Sequence, residues 1–377
     1  MSKTIKILIA IGVILALGLI WQVTRTIRQP VGTLKFGFIG PLSGDAASNG
    51  ITEKNAVQMA VDEINSKGGI NGRKISIVYE DGKCNGKESL TAMEKLVSVD
   101  KVKIVLGGLC SGETLAAAPI AEKNHVLLFS AFSSNPGISN AGDYVFRNSP
   151  SDSDVAKGDA IYMASRYKSI SIISENTDYA KGVHDILKQI LTEKGLVFKN
   201  DEYFGGPGND TTDFRSLLQK FKTANADVIY VNAQSGKTAG LIAKQIREIG
   251  IKTPIVGTFA FSSPDAASIA GANLEGIVFS NSSGLSNVGS AILKKYLSAF
   301  GKPANEYEMG ASYDRVYILA QAISAVGYDV DKIKNYLYAL KNYNGTIGNY
   351  HFDSNGDVVG VGFENYVIKN GQFVPVE

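Results

Sequence analysis

Short apolar runs of strand length alternate with longer stretches of helical periodicity through most of this chain of 377 residues. The alternation predicts parallel sheets with helices on both faces, because a helix that follows a strand returns the chain to the start of the next parallel strand. It occurs in two separate series, which predicts an α/β protein with two doubly wound parallel-sheet lobes. The length is sufficient for two hydrophobic cores.

The two series are followed by a helical segment and a β-rich tail. In the first series the strands are predicted at 34–39, 74–79, 102–106 and 126–129, and the helices at 52–66, 87–99 and 113–123. In the second the strands are predicted at 169–173, 197–203, 227–231, 255–257 and 276–280, and the helices at 179–194, 213–223, 237–249 and 264–270. Three more helices are predicted at 290–300, 307–326 and 331–338. In the tail, Asn355-Gly356 and Asn370-Gly371 predict hairpins.

The amino-terminal segment predicts an exported protein that stays attached to the membrane. Residues 7–23 are apolar except for Gln22, and basic residues flank them on both sides. This length is at the lower end for a helix that crosses a bilayer, and no small-x-small cleavage site follows it. We expect residues 1–32 to be a membrane anchor and linker, with a cleaved signal segment as the alternative. The body is then extracytoplasmic.

Charge and motifs exclude several classes of function. Four of the 38 basic residues and none of the 36 acids lie in the first 29 residues, which leaves the remainder with a net charge of −2 and no basic surplus for nucleic acid. Ser235-Gly236-Lys237-Thr238 resembles the end of a P-loop, but Val231 stands where the motif requires Gly. The three histidines have no spacing typical of a metal site or a catalytic base. We expect no cofactor, no metal and no enzymatic activity.

The chain has two cysteines, Cys84 and Cys110. In an oxidising compartment a pair without a third cysteine most simply forms a disulfide, and two unpaired thiols are the alternative. Closing this loop would contribute about 3.5 kcal/mol on the chain-entropy estimate.

Small polar side chains follow several predicted strands where helices begin. They are Ser43, Asn49, Ser111, Ser130, Ser133, Ser134 and Asn135. Helix amino termini present N–H groups and a partial positive charge, and the carboxyl ends of parallel strands meet at one edge of a sheet. The pattern predicts a site for a carboxylate or phosphate, although each residue taken alone is equally typical of a simple helix cap.

Five segments, in this order, resemble the type 1 periplasmic binding proteins of the leucine/isoleucine/valine-binding kind, the solute receptors of ABC importers. They read FGFIGPLSG at 36–44, INSKGGING at 64–72, GLCS at 108–111, SAFSSNP at 130–136 and YDRVY at 313–317. The resemblance covers residues 33–377. It implies two lobes joined by three crossings, with lobe 1 formed by 33–149 and 281–361, and lobe 2 by 150–280 and 362–377.

The resemblance also implies a role for individual residues. Ser111 would hold the ligand carboxylate, and Ser133 and Ser134 match the segment that binds carboxylate and ammonium. Asn49 would cover the ligand from lobe 1. From lobe 2, Tyr179 would close over the ligand, and Gln234 or Ser235 occupies the place of a second aromatic contact. Cys84 and Cys110 match the disulfide of the family.

One position departs from the family pattern. Where amino-acid receptors place an acid against the ligand ammonium, this chain reads Thr258-Phe259-Ala260-Phe261. A buried ammonium without a counter-charge is costly. Either another acid such as Asp178 replaces it, or the ligand has no amine and meets an apolar wall of Phe259 and Phe261.

The sequence therefore predicts a receptor that closes two lobes over a small carboxylate-bearing ligand and delivers it to ABC permease and ATPase subunits. An amino acid of the branched-chain or a related type is the leading candidate for the ligand. A sensor domain of the same fold that signals to a membrane partner, and a receptor for a non-amino carboxylate or an amide, are the alternatives.

Overall fold

The structure is a computed structural model that describes residues 32–205, 211–282 and 284–376. The apolar run 7–23, predicted to be the membrane anchor, lies outside these residues. Within the described ranges, none of the helices has the length and apolar character needed to cross a membrane.

The first series of strands forms a parallel sheet of five strands in the order β2-β1-β3-β4-β5. The strands are β1 Leu34–Gly40, β2 Ile75–Asp81, β3 Ile104–Leu106, β4 Leu127–Ser130 and β5 Val145–Arg147. The helices between them are α1 Ala47–Ser66, α2 Gly86–Ser98 and α3 Ser111–Asn124. Phe38 in β1 lies opposite Tyr79 of β2 on one side and Leu106 of β3 on the other, and both neighbours run parallel to β1.

The second series forms a seven-stranded sheet in the order β15-β14-β10-β9-β8-β6-β7. Its first five strands are β6 Ser169–Glu175, β7 Val197–Phe204, β8 Val228–Asn232, β9 Ile255–Gly257 and β10 Val278–Ser282, which pair in parallel. The helices are α4 Asp152–Ala164, α5 Asp178–Glu193, α6 Arg215–Ala224, α7 Gly236–Glu248 and α8 Pro264–Ala270. The two sheets confirm the predicted doubly wound α/β fold.

The chain then returns to the first lobe and finally to the second sheet. The returning helices are α9 Asn287–Phe300, α10 Glu306–Val326 and α11 Val330–Ala339. The remaining strands are β11 Tyr343–Gly345, β12 Gly348–Phe352, β13 Val358–Val359, β14 Phe363–Lys369 and β15 Gln372–Pro375. Asn355-Gly356 lies in the loop that joins the antiparallel strands β12 and β13, and Asn370-Gly371 joins β14 and β15. Asn370 and Gly371 both have positive φ, as a two-residue hairpin turn requires.

The structure adds two elements that the sequence pattern did not reveal, strand β5 and helix α4. The buried face of α4 includes Asp152 and Asp159 beside Val155 and Met163. Two acids on a buried face interrupt the apolar period by which a helix is recognised. The predicted second crossing at 281 falls inside β10, so the chain leaves the second sheet only after Ser282. The division into lobes at residue 150 and residue 362 stays a prediction.

A buried ion pair joins the end of β5 to the loop between β12 and β13. Arg147 is fully buried, and its Nε and Nη2 donate to Oδ1 and Oδ2 of Asp357 at 2.6 and 3.0 Å. Its Nη1 donates to the backbone carbonyl of Asn135 at 2.8 Å. The guanidinium therefore fixes the loop after β4, which carries several of the predicted site residues.

We expect Asp357→Ala to lower the free energy of unfolding by about 3–5 kcal/mol, because it leaves the Arg147 charge buried without its partner. Asp213→Ala is the matched control, since Asp213 pairs with Arg215 on the surface, where such a pair contributes at most about 1 kcal/mol. Urea denaturation followed by circular dichroism measures both. Equal small losses would contradict the role given to Arg147.

Candidate functional site

The carboxyl ends of the parallel strands in both sheets face a cleft between the lobes, which is where ligands bind in such folds. The lobes touch each other across this cleft. Ser48 Oγ donates to Asp265 Oδ2 at 2.6 Å, and Lys237 Nζ lies 2.5 Å from Asp45 Oδ1. The structure therefore shows a closed arrangement of the two lobes.

Two small adjoining cavities, of about 20 and 10 Å³, lie inside the cleft. The first, here called the Ser111 chamber, is lined by Ala46, Asn49, Leu109, Cys110, Ser111, Phe132, Ser134, Tyr179, Gln234 and Phe259. The second, the Asp152 chamber, is lined by Phe132, Ser134, Ser149, Asp152, Val155, Tyr179, Phe259, Ser280, Ser282 and Phe363. Because Ser134, Phe132, Tyr179 and Phe259 line both, the chambers adjoin and form one continuous site in the closed cleft.

The start of α3 forms one end of the site. Glu113 is fully buried, and its Oε2 accepts hydrogen bonds from the backbone N–H groups of Leu109 and Cys110 at 3.1 and 3.0 Å. Its Oε1 accepts from the backbone N–H of Cys84 at 3.0 Å. These bonds hold the loop before the helix in one conformation, so that Ser111 and the helix amino terminus face the chamber.

The predicted disulfide between Cys84 and Cys110 is present, with the two Cα atoms 5.2 Å apart. It joins the loop before α2 to the loop before α3. The side-chain amide of Gln234, from the opposite lobe, contacts Cys84 Sγ. The disulfide is therefore part of the wall on which the lobes meet, directly beside Ser111.

Of the two adjacent serines 133 and 134, only Ser134 lines the site. The Ser133 hydroxyl is fully buried and donates to the backbone carbonyls of Gly108 and Leu109 at 2.9 and 3.0 Å. It also lies 2.7 Å from Thr114 Oγ1. Ser133 thus supports the loop that carries Ser111. Its position gives no support to the predicted contact between Ser133 and a ligand.

The other predicted polar residues are placed by contacts with buried partners. Asn49 lines the Ser111 chamber, and its Nδ2 donates to Glu308 Oε2 at 2.6 Å. Gln234 lines the same chamber, whereas the Ser235 hydroxyl caps α7 by accepting from the Thr238 N–H at 3.2 Å. Of the two alternatives at this position, the structure brings Gln234 to the site.

Three aromatic rings separate the two ends of the site. The centroid of the Phe259 ring lies 4.8 Å from that of Phe132 and 5.5 Å from that of Tyr179, both edge to face. Phe261, expected beside Phe259, instead packs in the core of the second lobe. The two residues lie on a 3₁₀ turn, where side chains two positions apart point in different directions. The expected apolar wall is formed by Phe132, Tyr179 and Phe259.

The acid at the site is Asp152, which the sequence reasoning missed. It is 2% exposed, and its Oδ2 has no hydrogen-bond partner within the residues that the structure describes. Burial raises the pKa of Asp152 to about 7, while Ser134 and Arg147 act in the opposite direction. Asp178, the acid considered from the sequence, is exposed and lines neither chamber.

A local signal for Asp152 was present in the sequence. Ser151 caps α4 by accepting from the Ser153 N–H at 3.4 Å, and acids stand in the first turn of the helix. Ser-Asp-Ser-Asp is thus a helix start. A helix here would have placed Asp152 at an amino terminus next to the first lobe crossing.

Two parallel-sheet lobes that close over a cleft with hydroxyl groups, aromatic rings and one buried acid define a two-lobed small-molecule receptor. Residues 33–361 match the profile of the periplasmic binding protein family, and the chain belongs to that family. The resemblance found in the sequence is thereby confirmed. Its members are binding proteins, so the expectation of a non-enzymatic protein holds as well.

The chain is similar to several named solute-binding proteins and solved structures. The chain is 30% identical to "Leu/Ile/Val-binding protein homolog 2" of Brucella abortus over 328 residues, which is 85% of this chain and 86% of that protein. The substrate-binding protein LivJ of Streptococcus pneumoniae, solved with isoleucine, is 29% identical with a TM-score of 0.80 and covers 91% of this chain and 100% of its own. The leucine-binding protein LivK of Thermotoga maritima is 25% identical with a TM-score of 0.82 and covers 92% and 98%.

We expect replacement of both Cys84 and Cys110 by Ser to lower the free energy of unfolding by about 3.5 kcal/mol, since the open chain regains loop entropy when it unfolds. Guanidinium denaturation of the variant and of the oxidised protein measures the difference. Addition of a reductant should destabilise the native protein by the same amount and leave the variant unchanged. A native protein insensitive to reduction would contradict this expectation.

Proposed function

We propose that this protein is the solute receptor of an ABC importer and that its ligand is an α-amino acid with an apolar side chain. The family and the names of the relatives support a receptor for a small solute. The choice of an amino acid as the ligand rests on the buried Asp152 carboxyl group. Its Oδ2 atom lacks a hydrogen-bond partner in the described part of the chain.

An amino acid matches the polar groups of the site. Its carboxylate fits the amino terminus of α3, where Ser111 and backbone N–H groups supply donors. Its ammonium requires a counter-charge once water is excluded, and Asp152 is the acid that lines the site. Ser134 lines both chambers and can therefore contact both groups of the ligand.

The aromatic rings match an apolar side chain. Phe132 from the first lobe and Tyr179 and Phe259 from the second line both chambers, and Phe259 packs against each of the other two rings. Closure around a hydrocarbon group would bury it against all three rings, and each buried methylene contributes about 0.8 kcal/mol. Tyr179 and Phe259 move with the second lobe, so ligand contact and lobe closure are coupled in this proposal.

Delivery to a permease and attachment to the membrane complete the proposal. The apolar run 7–23 would hold the receptor at the outer face of the membrane, with the linker up to residue 32 spanning the gap. The receptor would then present the closed, loaded form to ABC permease and ATPase subunits. A ligand sensor of the same fold would need a different membrane partner. Transport of radiolabelled leucine by cells with and without the gene separates these roles.

We expect Asp152→Asn to weaken leucine binding by about 100-fold, because the ammonium loses a buried counter-charge. Binding of 4-methylpentanoate, which is leucine without its amine, should change little. Calorimetric titration at pH 8 measures both ligands. Asp154→Asn is the matched control, since Asp154 lies in the same helical turn with its side chain 71% exposed.

Equal affinity of the native protein for leucine and 4-methylpentanoate would overturn the amino-acid assignment. It would favour a receptor for a non-amino carboxylate, in which Asp152 serves as a neutral hydrogen-bonding group.

We expect Ser111→Ala to weaken binding of leucine and of 4-methylpentanoate alike, by about 10- to 100-fold, because both carry the carboxylate that the hydroxyl would contact. The melting temperature of the ligand-free protein should change little. An equal loss of stability without any change in affinity would show that Ser111 only shapes the start of α3.

A further inference from the structure

The surroundings of Asp152 are poor in groups that stabilise a negative charge. Its side chain lines a chamber in which the rings of Phe132, Tyr179 and Phe259 form much of the wall. Ser134 provides a side-chain hydrogen bond, and Oδ2 has none within the described residues. Ionised carboxylates at buried positions normally accept several hydrogen bonds. An empty site of this composition favours the neutral acid.

Nearby ionisable groups do not reverse this preference. Arg147 is the cation that acts on Asp152, but it is committed to a bidentate pair with Asp357. Asp159, two turns further along α4, acts in the opposite direction. Burial also keeps the phenols of Tyr179 and Tyr230 neutral by raising their pKa values. Strands β10 and β14 contribute Ser280, Ser282 and Phe363 to the wall of the Asp152 chamber, and these side chains carry no charge.

We propose that Asp152 is protonated in the empty receptor and releases this proton to solvent when the ammonium group of the ligand enters the chamber. The inference rests on the proposed function, since it requires a ligand with an ammonium group. One O–H bond of the carboxylic acid breaks, the proton passes to water or buffer, and the carboxylate that remains pairs with the ammonium. At the buried Asp152 carboxyl group, the ammonium group of the ligand therefore replaces the proton.

The exchange gives ligand affinity a defined dependence on pH. Burial in the closed arrangement raises the pKa of Asp152 to about 7, and an adjacent ammonium group lowers it. Below pH 7 the ligand must displace a proton, so affinity falls as the pH decreases. Above pH 7 the acid is already ionised, and affinity becomes constant. An acidic environment would thus favour release of an amino acid and leave binding of a ligand without an amine unaffected.

Asp159 provides an internal control on the same helix face. It is 1% exposed, burial raises its pKa to about 7, and its Oδ1 has no hydrogen-bond partner in the described ranges. Its Oδ2 accepts from the Tyr230 hydroxyl at 2.8 Å and from Ser280 Oγ at 3.3 Å, and it lines neither chamber. If ligand contact drives the proton exchange, Asp159 should keep its protonation state on binding.

The test is calorimetric titration with leucine, isoleucine and valine at pH 6 and pH 8, in buffers of low and high ionisation enthalpy. We expect the dissociation constant for leucine to be about tenfold higher at pH 6, with close to one proton released per ligand at that pH. The affinity for 4-methylpentanoate should not fall with decreasing pH. Asp159→Asn should keep the pH dependence and the proton release, shifted toward lower pH because Asp159 raises the pKa of Asp152. Asp152→Asn should lose both.

Infrared difference spectra of the native protein measure the same proton directly, and a variant serves only as a control. At pH 6 the C=O band of a protonated carboxylic acid should weaken when leucine is added, and the Asp159→Asn protein should show the same change.

Tight binding with no pH dependence and no proton release would overturn the inference and leave the proposed function intact. Complete loss of proton release in Asp159→Asn at a pH where leucine still binds would overturn the assignment to Asp152. Failure of all three amino acids to bind at pH 8 would overturn the proposed function together with this inference.

Discussion

The parallel pairing of strands is the constraint on which the rest of this structure depends. Because β1–β5 in one sheet and β6–β10 in the other pair in parallel, the carboxyl ends of each set lie on one edge, and the two edges face each other across the cleft. The loops after β3, β4, β8, β9 and β10 therefore converge. Side chains from positions as distant as Ser111 and Ser280 then line one continuous site.

The loops on these edges are held by buried polar contacts. Glu113 binds three backbone N–H groups, the Ser133 hydroxyl binds two carbonyls, and the disulfide joins the two helix starts. Arg147 fixes the next loop through Asn135. A site for a charged ligand needs such rigidity, because donors that are already oriented do not have to be ordered when the ligand binds.

The cost of burying charge decides which ligands this site accepts. The loop after β9 carries Phe259 where an acid was expected, so one possible counter-charge is missing. Asp152 supplies an acid from a different element, at the first turn of α4. A lone acid against aromatic rings is stable as the neutral form, and an ammonium group changes that balance. In this proposal the choice of ligand and the response to pH have the same electrostatic origin.

The sequence by itself determined the fold class, most helices and strands, the tail hairpins, the pairing of the two cysteines and most residues of the Ser111 chamber. The fold class, hairpins and cysteine pairing follow from local periodicity, turn residues and the few cysteines available, which do not depend on distant contacts. The chamber residues Asn49, Tyr179, Gln234 and Phe259 were implied by the resemblance to the binding-protein family. Only the tertiary structure decided that Ser134 and not Ser133 lines the site, that Phe261 belongs to the core, and that Asp152 is the acid. The direction of a loop side chain is set by contacts with residues far away in sequence, such as those that hold the Ser133 hydroxyl. A buried acid interrupts the very pattern by which its helix would be recognised.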